Sequence, residues 1–97
     1  MLILAQDKRT IANLENITQI YCIEYDKSNV DIACCFNRGG EILGRYSSIE
    51  RCKEIMQDIL TAYQRSEENK ALIIGNMLHS FGSREDIYKF TYTMPEE

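Results

Sequence analysis

The 97-residue chain has one proline, one histidine and no tryptophan. His79 is therefore the one side chain that titrates near neutrality without a large shift of its pKa. No nucleophile–base motif accompanies it, so we expect a histidine that makes hydrogen bonds or contacts a ligand. The four cysteines show no Cys-x-x-Cys spacing and are expected to be small buried hydrophobes. The sequence thus predicts no metal, no cofactor and no enzyme.

Long apolar runs and a basic excess are also missing. No apolar stretch approaches the ~20 residues that cross a bilayer, and residues 1–5 are too short for a signal peptide. The net charge is −4, from 11 basic and 15 acidic residues. Nonspecific nucleic-acid binding needs a basic surface, so DNA and RNA are disfavoured. We predict a cytoplasmic protein with neither membrane nor nucleic-acid partners.

The length predicts a single domain over residues 1–97. A chain of this size buries a thin core, so a second copy is a plausible source of further burial. The apolar run at residues 71–74 offers more than one face of a helix and suits such a contact. We therefore expect a homo-oligomer, a dimer or larger.

The first half of the chain reads as an antiparallel β-meander. Short apolar runs, rich in β-branched and aromatic residues, alternate with polar turns. The strands are predicted at residues 2–6, 10–14, 17–25, 30–36 and 41–46.

The hydrophobic period then changes from two to about 3.6 residues, which predicts a helix of about five turns. Ser47 and Glu50 have the spacing of a capping box at its start. The predicted apolar stripe consists of Ile49, Cys52, Met56, Ile59 and Tyr63, with Leu60 beside them.

Residues 66–70 are polar and either end this helix or let it bend. We predict a second helix at residues 67–79, with a strand at residues 72–74 as the alternative. Residues 86–94 alternate cleanly and predict a returning C-terminal strand, stopped by Pro95. The predicted fold class is α+β: an antiparallel β-meander, one or two helices and a C-terminal strand.

The most mixed chemistry lies at residues 76–84, where Asn76, His79, Phe81 and Arg84 occur close together. An aromatic ring, amide, imidazole and guanidinium suit a nucleotide, through stacking on the base and contacts to ribose and phosphate. The simpler interpretation is a polar loop that leaves a helix, and sequence alone favours it somewhat.

Three further segments carry a family resemblance: residues 5–8 with 11–16, residues 43–46 with the Ala62-Tyr63 pair, and residues 92–97. Together they resemble small proteins of Firmicutes phages and prophages, most of them without an assigned function. The chain is most similar to the phage anti-Thoeris sponges. That resemblance implies an antiparallel sheet with following helices, an oligomer, and non-catalytic capture of cyclic ADP-ribose isomers or cyclic oligonucleotides.

The leading hypothesis is thus a phage anti-defence protein that sequesters a nucleotide-derived immune second messenger, in a pocket between residues 66–84 and a neighbouring subunit. Phe81 would stack on a base, and Arg84 and Arg45 would meet phosphates. Asn76 and His79 would contact ribose or base edges. The alternative is a protein–protein inhibitor of a bacterial defence effector, of the anti-CRISPR type, that acts through a surface.

Overall fold

The structure is a computed structural model that describes the backbone of residues 1–76 and 91–97 and the side chains of residues 1–68 and 91–97. The chain is an α+β protein, which confirms the predicted fold class. In chain order the elements are β1 (Leu2–Leu4), β2 (Ile11–Asn13), a 3-10 turn (Leu14–Asn16), β3 (Gln19–Asp26), β4 (Asn29–Phe36), β5 (Gly39–Tyr46), α1 (Ile49–Asn76) and β6 (Thr91–Thr93).

The strands form two three-stranded sheets. β3, β4 and β5 make the predicted antiparallel meander, close to the predicted bounds. β1 and β2 belong to a second sheet, in which β1 pairs antiparallel with β2 and parallel with β6. A single five-stranded meander is therefore wrong. The 3-10 turn between β2 and β3 interrupts extended pairing and lets the chain start a new sheet.

Hydrogen bonds from Gln6 join the two sheets to the C-terminal segment. Its backbone N–H donates to the Leu43 carbonyl at 2.7 Å. Its side-chain amide donates to the Arg45 carbonyl at 3.0 Å and to the Glu96 carbonyl at 2.7 Å. The Tyr46 hydroxyl adds a 2.6 Å bond to the Pro95 carbonyl. These bonds hold residues 95–96 against the ends of β1 and β5.

The helix α1 begins one residue later than the capping box predicted. The Ser48 hydroxyl accepts a hydrogen bond from the Arg51 N–H at 3.1 Å, so Ser48 is the N-cap. Because α1 starts at Ile49, the capped third helical amide belongs to Arg51 and not to Glu50. The predicted cap at Ser47 with Glu50 is therefore wrong.

Downstream of this cap, α1 is one continuous helix of 28 residues, ~42 Å long at 1.5 Å per residue. It runs through residues 66–70 to Asn76, so residues 67–76 form neither a separate second helix nor a strand at residues 72–74. The polar run contains no proline or glycine, and its Glu and Lys residues are strong helix formers. The predicted extension over residues 77–79 lies outside the described residues.

The core lies between α1 and the inner face of the β3–β4–β5 sheet, where Cys52, Ile55 and Ile59 pack on strands β4 and β5. Ile55 was absent from the predicted stripe, yet it is fully buried. Leu60 is 51% exposed and Tyr63 is 36% exposed, although both belonged to the prediction. The buried face is thus rotated away from the stripe that spacing alone indicated.

The C-terminal strand is confirmed in part. β6 aligns Tyr92 with Ile3 of β1, and the Met94 N–H donates to the Leu4 carbonyl at 2.9 Å. Tyr92 is partly buried and Met94 is fully buried. Residues 86–90 of the prediction lie outside the described residues. Over the described ranges, no helix has the length and apolar character that spanning a membrane requires.

Candidate binding site

The structure describes one of the five predicted ligand-binding side chains, that of Arg45 on β5. Asn76 is the last residue of α1, and its side chain is not among those described. His79, Phe81 and Arg84 lie outside the described residues. Their predicted nucleotide contacts therefore stay predictions.

Arg45 forms an ion pair with Asp31 on the outer face of the β3–β4–β5 sheet. The two residues are cross-strand partners, and Nε and Nη2 of Arg45 donate to the two carboxylate oxygens at 2.7 and 3.2 Å. The Tyr25 ring lies beside the guanidinium, with its centroid 5.9 Å from Cζ, within cation–π range. Two N–H groups of Arg45 are thus bound to Asp31, so fewer donors and less positive charge remain for a phosphate.

Asp31 is 1% exposed, and hydrogen bonds from Arg45 hold the pKa of its carboxyl below the ordinary value of 3.8. A bond from Tyr25 acts in the same direction, whereas burial opposes both. Sequence reasoning missed this pair. The available signal was a charged residue inside the otherwise apolar run of β4, because buried carboxylates almost always have a partner.

Replacement of Arg45 by Met should make stability strongly pH-dependent. In the wild type, the lowered pKa of Asp31 contributes stability that is complete above 3.8 and is lost as the pH falls through the folded-state pKa. In Arg45→Met the two hydrogen bonds from Arg45 are lost and burial is opposed by Tyr25 alone, so the pKa of Asp31 should rise relative to the wild type. The loss in free energy of unfolding should then be largest at neutral pH and should shrink as the pH falls through the folded-state pKa of Asp31 in the wild type.

Urea denaturation from pH 7 to about pH 3 measures this difference. Arg65→Met is the matched control, since Arg65 is an exposed arginine on α1. Parallel pH profiles for Arg45→Met and the wild type would contradict the pairing.

A hollow of about 480 Å³, called the mixed hollow below, opens where the chain enters β3 and leaves β4. It combines the aromatic ring of Phe36, the guanidinium of Arg38, side-chain amides, a hydroxyl and a carboxylate. The lining residues are Glu15, Asn16, Ile17, Thr18, Phe36, Asn37 and Arg38.

Two hydrogen bonds fix the walls of this hollow, one within the 3-10 turn and one across to the end of β4. The Asn13 side chain accepts from the Glu15 N–H at 3.1 Å and so caps the 3-10 turn. The Thr18 N–H donates to the Cys35 carbonyl at 2.9 Å, which fixes this wall beside the end of β4. The opposite wall is the two-residue turn between Phe36 and Gly39, which carries Arg38. Arg38 is exposed and makes no ion pair with another described residue.

Sequence reasoning did not select this hollow. Its side chains are the same mixture as the predicted segment at residues 76–84, but they lie in two segments, residues 15–18 and 36–38. The pairing of Gln19 with Cys35 brings these segments together. The available signal was the short turn between β3 and β4, because the turn of a hairpin sets the register of its strands.

A second concavity is almost entirely apolar. It is an open groove of about 510 Å³ between α1 and the β3 side of the sheet. Lys53 and Gln57 are its polar members, and the apolar ones are Leu14, Ile20, Cys22, Met56, Ile59, Leu60 and Tyr63.

Cys22 lines this groove, and behind it the fully buried thiol of Cys52 donates to the Val30 carbonyl at 3.9 Å. Burial raises the pKa of Cys52 to about 11 and also raises that of Cys22, so both are protonated at neutral pH. All four cysteines are free of disulfides, two of them buried and two partly buried. Over the described residues, no three His, Cys, Asp or Glu side chains gather as metal ligands.

No protein-family model, curated protein or solved structure matches the chain. The similarity to the anti-Thoeris sponges accordingly stays a resemblance of short segments.

Proposed function

We propose that this protein acts by stoichiometric capture of a nucleotide-derived immune second messenger, as a phage anti-defence sponge without catalysis. The observation that carries the proposal is the mixed hollow, in which an aromatic ring and an exposed guanidinium stand among amide and hydroxyl groups. Its volume of about 480 Å³ is within the ~300–1,000 Å³ range of small-molecule sites.

Each group in the hollow suits one part of a nucleotide. The planar guanidinium of Arg38 matches a phosphate through two parallel hydrogen bonds. Phe36 offers an aromatic edge or face to a base. Stacking of a base on a protein aromatic side chain contributes ~1–3 kcal/mol per base. Asn16 and Thr18 offer polar partners to hydroxyls and base edges.

This location also suits a protein of net charge −4, because one local cation attracts a small anion without a broad basic surface. The pocket predicted from the sequence, between residues 66–84 and a neighbouring subunit, is the other location in this proposal. Its residues are Arg45, Asn76, His79, Phe81 and Arg84. Variants at Arg38 and at Arg84 separate the two locations.

Calorimetric titration with cyclic ADP-ribose isomers and cyclic oligonucleotides tests the proposal. We expect saturable binding by the wild type and affinity at least about tenfold lower for Arg38→Ala, since hydrogen bonds to charged groups contribute ~1.5–3 kcal/mol. Arg38→Lys keeps the charge but loses the planar fork, and should fall between the two. Arg65→Ala, an exposed arginine on α1, should bind like the wild type.

Capture is separated from hydrolysis by denaturing the complex and identifying the released ligand, which should be chemically intact. Absence of heat with every ligand of both classes would reject the nucleotide proposal. Binding that Arg38→Ala leaves unchanged but Arg84→Ala weakens would move the site to residues 76–84.

The outer face of the β3–β4–β5 sheet supports the second candidate, a protein–protein inhibitor of a bacterial defence effector. Tyr25 is 59% exposed and Ile42 46% exposed, and both accompany the Arg45 guanidinium on this sheet. Tyrosine and arginine dominate the energetics of many protein interfaces. An effector that co-purifies with the wild type but not with Ile42→Asp, while nucleotides give no heat, would favour this candidate.

A further inference from the structure

The helix α1 carries an exposed stripe that no described residue covers fully. At 3.6 residues per turn, its members lie within roughly 60° of Leu60 around the helix axis. The stripe separates the buried face, with Cys52, Ile55 and Ile59, from the charged face, with Glu54 and Arg65. The α1 stripe consists of Lys53, Met56, Gln57, Leu60, Tyr63, Gln64 and Glu67.

The α1 stripe continues into the apolar groove of about 510 Å³, so helix and groove form one surface. Leu60 and Tyr63 lie at its centre, half-exposed or nearly so, and Ile20 and Cys22 line its sheet side. A groove of this volume and apolar lining is complementary to apolar side chains of leucine and tyrosine size. The stripe itself supplies side chains of this kind.

The charges of the α1 stripe are arranged symmetrically about Leu60. Lys53 lies seven residues before it and Glu67 seven residues after it, ~10.5 Å in each direction along the helix. In an antiparallel pair of identical helices with a two-fold axis at Leu60, Lys53 of each copy faces Glu67 of the other. A parallel pair would instead place like charges opposite each other. A second copy therefore offers both the apolar filling and the opposite charge.

We propose that α1 forms a two-fold homodimer, in which two helices pack antiparallel across Leu60 and each copy's Leu60 and Tyr63 enter the partner's groove. This is an isologous interface, in which one surface is complementary to itself. The proposal does not rest on the proposed function, because the mixed hollow and the outer sheet face lie on other elements. It places the contact at residues 53–67 and not at residues 71–74, where the apolar run suggested it.

Sedimentation velocity over a range of concentrations tests the dimer. The wild-type chain of 11.3 kDa should sediment at twice that mass. Leu60→Asp should sediment as a monomer, because its carboxylates would face each other in an apolar surface. Lys53→Glu should weaken the dimer at least about tenfold, and the charge swap Lys53→Glu with Glu67→Lys should restore most of the affinity.

Arg65→Glu is the matched control, since it makes the same charge reversal on the charged face of α1 and should leave the dimer intact. Circular dichroism verifies that each variant is folded, and the charge-swap series remains decisive where Leu60→Asp is not. A wild type that is monomeric at all concentrations would overturn the proposal. A dimer that survives both Leu60→Asp and Lys53→Glu would do the same.

Discussion

Ile55→Ala should lower the free energy of unfolding by about 3 kcal/mol, within the ~2–5 kcal/mol typical of buried Ile→Ala changes. Ile55 is fully buried where α1 packs on the β3–β4–β5 sheet, so its truncation leaves a cavity that neighbouring strands fill only in part. The higher helix propensity of alanine returns ~0.5 kcal/mol of this loss. Domains of this kind have ~5–15 kcal/mol of stability in total, so the effect is large.

Urea denaturation followed by circular dichroism measures the change, and Ile11→Ala is the matched control. It removes the same atoms, but Ile11 is 66% exposed on β2. The control should lose less than about 1 kcal/mol, which is the range of strand propensity. Equal losses at the two positions would show that α1 does not pack on the sheet as described.

Gly44→Ala should lower the free energy of unfolding by about 2 kcal/mol, although it adds a single methyl group. A β-carbon at this position on β5 would lie 2.7 Å from both Cε2 and the hydroxyl oxygen of Tyr46. The Tyr46 ring is buried and its hydroxyl donates to the Pro95 carbonyl at 2.6 Å. Displacing the ring would therefore cost both packing and the hydrogen bond that holds the C-terminal segment.

A double-mutant cycle with Tyr46→Leu isolates this contact. In the Tyr46→Leu background the ring is absent, and Gly44→Ala should be close to neutral there. Additive losses in the double variant would mean that the cost of Gly44→Ala arises elsewhere. Because burial raises the pKa of Tyr46 to about 12, its hydroxyl stays protonated in any ordinary buffer and the cycle can be run at neutral pH.

Local patterns were sufficient for elements whose signals are local. Alternation and turn residues predicted β3, β4 and β5 closely, since polar turns of two residues separate β3 from β4 and β4 from β5. The 3.6-residue period predicted α1, although its cap was misplaced by one residue. The same patterns did not reveal where the helix ends, because a polar run reads equally well as a solvated helix face or as a break.

The candidate sites depended on residues distant in sequence. Residues 15–18 and 36–38 form one hollow because β3 pairs with β4 in a particular register. Arg45 was predicted to bind phosphate because of its guanidinium. The sequence did not show that Asp31, on the neighbouring strand β4, forms an ion pair with it. In both cases the deciding information is which residues become neighbours, and single-sequence periodicity does not contain it.

By itself, the sequence determined the α+β class and the order of the meander and the helix. It also determined the acidic net charge of the 97-residue chain, in which no catalytic motif is evident. These properties follow from composition and from short-range periodicity. The tertiary structure decided the division into two sheets, the parallel pairing of β1 with β6, the pairing of Asp31 with Arg45, and which face of α1 is buried. The physical reason is that burial and pairing are properties of the packed chain. Leu60 and Ile55 are apolar side chains of equal size on one helix, and what lies opposite each decides that one is half-exposed and the other fully buried.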